Sequence, residues 1–146
     1  MSNYEVPGGI LNNVWPNVPG LESRDGSTRY RCLYVLNAHA TITLSNAIIW
    51  ISLPTLSPHD EVDIGLGTTA AGTGSETFYS TDLHPTGNPQ NHGVAFSHPT
   101  SYETGLALGT IAPGHRKAFW VRKILQSGAA AYDTNQYGVR VRGETS

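Results

Sequence analysis

Cysteine is almost absent from this 146-residue chain. Cys32 is the single one, which excludes an internal disulfide framework and a cysteine-built zinc site. It sits in the apolar stretch 30–36 with no nearby group to depress its pKa, so it reads as a packed, inert thiol. Charge is scarce as well: 14% of residues carry one, too few for an acidic or basic disordered tail. No apolar run approaches the roughly 18 residues of a membrane-spanning helix. Residues 1–7 have neither a basic nor an apolar export region, so Sec export is not expected.

Basic residues are missing from one long interval. No Lys or Arg occurs between Arg31 and Arg116, whereas Asp60, Glu61, Asp63, Glu76, Asp82 and Glu103 all fall there. Six bases then crowd the last 31 positions: Arg116, Lys117, Arg122, Lys123, Arg140 and Arg142. This segregation suggests a dipolar surface with a basic stripe on adjacent strands. A net charge of −2 does not suit a nucleic-acid partner, and an acidic protein surface is the better match for such a stripe.

What is plentiful is turn chemistry, with 16 Gly and 9 Pro. Between the turns the pattern is that of strands. Residues 29–36 form a β-branched and aromatic run, and residues 41–45 alternate with Ile42 and Leu44 inward. Asn46-Ala47 marks a bulge before residues 48–51, which are apolar on both parities, as in a strand covered on both faces. Residues 61–67 alternate with Val62, Ile64 and Leu66 inward. Short strands follow at 93–97 and 105–108, then longer ones at 117–125 and 137–142. In the last, Tyr137, Val139 and Val141 face in while Arg140 and Arg142 face out. The expected fold is all-β: an antiparallel β-sandwich of about seven or eight strands, immunoglobulin-like or jelly-roll, with no helix.

Two segments lie outside this frame. Residues 1–27 lack periodicity yet carry Ile10, Leu11, Val14, Trp15, Val18 and Leu21. They read as an irregular N-terminal arm preceding a single domain at 28–146. The arm either folds back on its own core or docks on a neighbouring subunit, with Trp15 assigned to an interface and Trp50 and Trp120 in or against the core. Residues 67–93 form a long polar segment, of the kind that serves function or assembly.

Two stretches carry a family resemblance. Tyr30-Arg-Cys-Leu-Tyr-Val-Leu-Asn37 is followed by Thr43-Leu-Ser-Asn-Ala-Ile-Ile-Trp-Ile51. Leu108-Gly-Thr-Ile-Ala-Pro-Gly114 leads into Phe119-Trp-Val-Arg122. This combination is similar to immunoglobulin-like sandwich repeats. With Asn12-Asn13-x-Trp15, Glu22, Gly26 and the closing Val139-Arg-Val-Arg-Gly143, it resembles small virion proteins of tailed bacteriophages. The resemblance implies a structural protein of the particle that decorates or cements the capsid. Its partner would be the major capsid protein or another virion protein, in many copies or as a homo-oligomer, assembled in the host cytoplasm.

Catalytic and metal patterns are weak. His84, His92 and His98 with Asp82 match no standard ligand spacing. Asp60, Glu61 and Asp63 lack the glycine-punctuated loop of a calcium site. No Gly-x-Ser-x-Gly elbow occurs, and Gly65-x-Gly67 and Gly72-x-Gly74 open no helix. The expectation is a non-enzymatic protein with no cofactor, no metal, and neither nucleic acid nor membrane as partner. Its assembly interface would comprise Ile10, Leu11, Val14, Trp15, Arg122, Arg140 and Arg142. A tail or host-surface module that binds glycans through the 67–93 segment is the alternative.

Overall fold

The computed structural model describes residues 14, 15, 17–76, 88–130 and 135–146. Among these described residues, seven antiparallel strands build two sheets. They are β1 (Ser27–Leu36), β2 (Leu44–Leu53), β3 (Asp60–Leu66), β4 (Phe96–Ser97), β5 (Leu106–Ile111), β6 (Arg116–Leu125) and β7 (Gly138–Thr145). One sheet has the order β1-β6-β3-β4, the other β5-β2-β7. Their inner faces meet in one core: Ala47, Ile49, Ile51, Leu108 and Ile111 on one side, Val62, Ile64, Phe119 and Val121 on the other. This is the expected β-sandwich. Each fully buried aliphatic of that set removes enough apolar surface from water to contribute about 1.5–3 kcal/mol.

The turn residues do specific work at one corner. Asn37, which ends β1, donates its side-chain amide to the carbonyls of Ile42 (2.8 Å) and Ile111 (2.9 Å). Gly114, in the left-handed region at φ 70°, donates its N–H to the Asn37 carbonyl at 2.9 Å. The β1–β2 and β5–β6 turns are thereby tied into one unit. Strand β2 carries the expected bulge: its register against both neighbours slips around Asn46-Ala47, and Asn46 has φ 51°. The strand begins later than alternation suggests. The ring Nδ1 of His39 takes the N–H groups of Thr41 and Ile42, which holds those residues in a turn instead of a ladder.

Beyond the bulge, β2 is covered on both faces. Ile49 and Ile51 enter the core, while Trp50 lies buried on the outer side, edge-on to Tyr102 at 5.7 Å between ring centroids. The other sheet also carries apolar cover outside, where Tyr30, Trp120 and Val94 form a second cluster with Cys32 and Phe96. Val94 and Phe96, just after the long polar segment, supply part of this cover. A 3₁₀ turn at Pro89–His92 leads to β4, and Glu76 is buried, accepting from the Thr68 and Thr69 hydroxyls at 2.7 and 3.1 Å.

The described part of the N-terminal segment folds back on its own domain, one of the two readings left open by the sequence. Residues Gly20–Asp25 form a six-residue helix, α1, ended by Gly26 at φ 79°. A side chain at Gly26 would stand 3.0 Å from the Leu125 carbonyl, so the helix meets the sandwich at a point only glycine fits. The helix is stapled to the β6–β7 connection by Arg24 and Ser23 carbonyls accepting from the Gly128 and Ala129 N–H groups. Six residues bracketed by Pro19 and Gly26 are too few to show helical periodicity, which is why none was legible. Trp15 is 7% exposed and belongs to the central core, with Val14 packed against it. Its assignment to an intersubunit interface is therefore corrected: burial against its own sandwich uses the surface that a neighbour would need. Replacing Trp15 by Ala is expected to cost about 3–5 kcal/mol of stability, measured by denaturant unfolding; an unchanged midpoint would show that the segment contributes nothing.

Candidate functional site

Strand pairing decides where the segregated charges go. β3, from the acidic block, pairs directly with β6, from the basic block. Asp63 faces outward, 4% exposed, and accepts from Arg122 Nε at 3.1 Å and from its second guanidinium nitrogen. Asp60, 6% exposed, holds Lys123 Nζ at 3.1 Å on the inner side. Lys117 Nζ donates to the carbonyls of Gly67 (2.8 Å) and Thr69 (2.6 Å), and Arg116 Nε to that of Gly74 (3.0 Å). The expected stripe on adjacent strands does not form. β6 and β7 belong to different sheets, and the bases of β6 are occupied within the domain.

Two groupings of polar side chains result. The first fills the end of the sandwich that α1 and Trp15 close. Arg29 reaches inward from β1 and pairs with Glu22 of α1. Arg31 sits 5.1 Å over the Trp15 ring and donates to the Val14 carbonyl at 3.2 Å. Beside them, Asp60 Oδ2 receives both Lys123 and the Asn135 amide, the latter at 2.6 Å. The Asn135 carbonyl oxygen in turn accepts two backbone N–H groups, Leu56 at 3.0 Å and Ser57 at 3.3 Å. Asp60 Oδ1 is buried with no hydrogen-bond partner among the described residues.

This environment moves several pKa values. Burial pushes the Asp60 carboxyl up, and Lys123 and Asn135 only partly offset it. Burial also acts to raise Glu22, but there the hydrogen bonds from Arg29 and Ser27 and the Arg29 charge prevail, so that carboxyl lies below its ordinary value. Tyr137 is pushed by burial up to about 12, against a lowering effect of Trp15 and Arg31.

The second grouping is exposed, on the outer face of the β5-β2-β7 sheet. Arg140 and Arg142 stand opposite Trp50 and Ile48 in the β2–β7 register. The Arg142 guanidinium lies 5.1 Å over the Tyr102 ring, which itself packs on Trp50. Both arginines are exposed, and β7 is the last strand of its sheet.

The residues expected to form an interface thus separate. Arg140 and Arg142 come together on one face, Arg122 is committed to Asp63, and Val14 and Trp15 are internal. Ile10 and Leu11 lie outside the described residues, as do His84 and Asp82. Of the metal candidates considered in sequence, Asp60 points away from Asp63 by strand alternation. Glu61, Asp63 and His98 do converge, their ligand-type atoms within 4.8 Å of one another. Asp63 there is already balanced by Arg122, and His98 Nδ1 is bonded to the Val62 carbonyl at 2.7 Å. Asn135 was missed, because an Asn in a connection between strands looks like turn chemistry. One clue was present: the chain has only two lysines, and Lys123 is placed where a charged residue must be buried.

Two partly buried acids of raised pKa set an alkaline limit. Burial raises the Cys32 thiol from its ordinary 9.0 to about 11, and Tyr137 goes from 10.0 to about 12. Both hold their proton more tightly folded than unfolded. Their contribution to stability is therefore complete below about pH 9 and is lost as pH rises through about 11 for Cys32 and about 12 for Tyr137. Thermal unfolding midpoints are expected to stay level up to about pH 9 and then fall, and Cys32→Ala is expected to delay the onset of that fall.

Comparison with family models, with curated proteins and with solved structures returns no match for this chain.

Proposed function

We propose that this chain is a non-enzymatic structural protein of a tailed-bacteriophage particle, decorating or cementing the capsid through protein contacts. The observation that carries the reading is the outer face of the β5-β2-β7 sheet. There Arg140 and Arg142 stand exposed around Trp50 and Tyr102, while the bases of β6 are engaged inside the domain. Arg, Trp and Tyr are the residues that dominate binding hot spots, because they combine large contact area with directional polar groups. The sequence resemblance to small virion proteins supports the particle as the setting.

The partner in this reading is an acidic surface of the major capsid protein or another virion protein. The arginines supply steering and register, and Tyr102, half-buried and backed by the buried Trp50, supplies the aromatic contact. Modest affinity per copy suffices where each copy sits in a repeating lattice and touches several neighbours. Of the interface residues expected from sequence, this reading rests on Arg140 and Arg142. The double reversal Arg140→Glu with Arg142→Glu is expected to abolish copurification with intact particles while leaving the unfolding midpoint within about 1 kcal/mol of the unmodified chain. Normal occupancy of particles by that variant would overturn the assignment of this face.

A further inference from the structure

The closed end of the sandwich holds the parts of an acyl-transfer reaction between two of the protein's own side chains. Lys123 Nζ and the Asn135 amide nitrogen both contact Asp60 Oδ2, at 3.1 and 2.6 Å. The amine and the carboxamide are thus held on one buried carboxyl. The Asn135 carbonyl oxygen lies between the Leu56 and Ser57 N–H groups, at 3.0 and 3.3 Å. Two backbone donors on one carbonyl oxygen polarise it and match the charge that a tetrahedral intermediate would place there. We propose that Lys123 and Asn135 join in an intramolecular isopeptide bond, formed once per chain with Asp60 as the acid–base group.

The step balances without an added reagent. The Lys123 ammonium passes a proton to Asp60, giving a neutral amine beside a neutral carboxyl. The Nζ lone pair attacks Asn135 Cγ, forming the C–N bond, and the carbonyl electron pair moves to Oδ1 between the two N–H groups. Asp60 gives its proton to Nδ2, the Cγ–Nδ2 bond breaks, and ammonia departs. Asp60 then takes the surplus proton from Nζ and later releases it, so that the net products are a secondary amide and an ammonium ion. Nothing is oxidised or reduced.

The surroundings suit each role. A lysine amine becomes a nucleophile once it gives up a proton, and Asp60 Oδ2, 3.1 Å from Lys123 Nζ, is placed to take it. Burial raises the Asp60 carboxyl, which makes it a ready proton acceptor from Lys123 and donor to the leaving group. Glu22, Arg29 and Arg31 also face this end, with Arg29 and Glu22 balancing one another. An arginine could pair with Asp60 equally well but could not react, and seven of the chain's nine bases are arginines. The bond would tie β6 of one sheet to the residues leading into β7 of the other, fixing the two layers covalently at the end that α1 closes. The inference is independent of the virion reading and concerns the isolated chain.

Tryptic mapping of the purified, folded chain tests it. Trypsin cuts after Arg122 but not after an acylated lysine. The expected product is a peptide spanning residues 123–140, one ammonia lighter than its sequence and uncut at Lys123. Asp60→Asn keeps the shape of the site but removes the proton carrier; it is expected to give the full mass and normal cleavage at Lys123. Complete cleavage at Lys123 with full mass in the unmodified folded chain would overturn the proposal, whatever the variants do. So would an ammonia loss that persists in Lys123→Met, since that loss would be a succinimide at Asn135.

Discussion

The antiparallel pairing of β3 with β6 is the constraint on which the rest of this molecule depends. It aligns Asp60 and Asp63 with Lys123 and Arg122 and so neutralises charges that lie about sixty residues apart along the chain. Both carboxylates are nearly inaccessible to water, and a buried carboxylate without such a partner would be costly enough to oppose folding. The same pairing places Val62, Ile64, Val121 and Phe119 side by side on the inner face, where they meet the second sheet. Charge balance and core formation are therefore two consequences of one register. A shift of one residue would break both, since it would turn the aliphatics outward and part the acids from their bases.

That pairing also sorts the basic residues by use. The bases of β6 are spent inside the domain, on Asp60, Asp63 and the carbonyls of the 67–74 segment. The arginines of β7 are turned outward over Trp50 and Tyr102. The closed end of the sandwich gathers a third population, Arg29 and Arg31, against Glu22 and Trp15. The proposed partner contact is thus kept apart from the charges that stabilise the domain, while Lys123 of β6 joins both stabilisation and the proposed covalent closure. The N-terminal segment from Val14 onward serves stability by sealing the core.

Much of the fold was legible because strands announce themselves by alternation and turns by their residues. The inward set Val62, Ile64 and Leu66, the bulge at Asn46-Ala47 and the outward arginines of β7 follow from period-two patterning alone. Asn37 and Gly114 were readable as turn residues, and their mutual hydrogen bond explains why they accompany one another. Helix α1 was not legible, since six residues give fewer than two turns. Trp15 was ambiguous because an aromatic in an aperiodic segment fits an interface as well as a core, and only its surroundings separate the two.

By itself the sequence determined the all-β class and most strand positions, because each rests on local composition and spacing. Only the tertiary structure decided which strands are neighbours, and with that which charges meet. It parted Arg140 and Arg142 from Arg122, turned Trp15 into core, and brought Lys123, Asp60 and Asn135 to a single carboxyl oxygen. The physical reason is the same in each case. Side-chain direction along a strand repeats every two residues and can be read locally, whereas contact between strands depends on register and sheet membership, which no local pattern encodes.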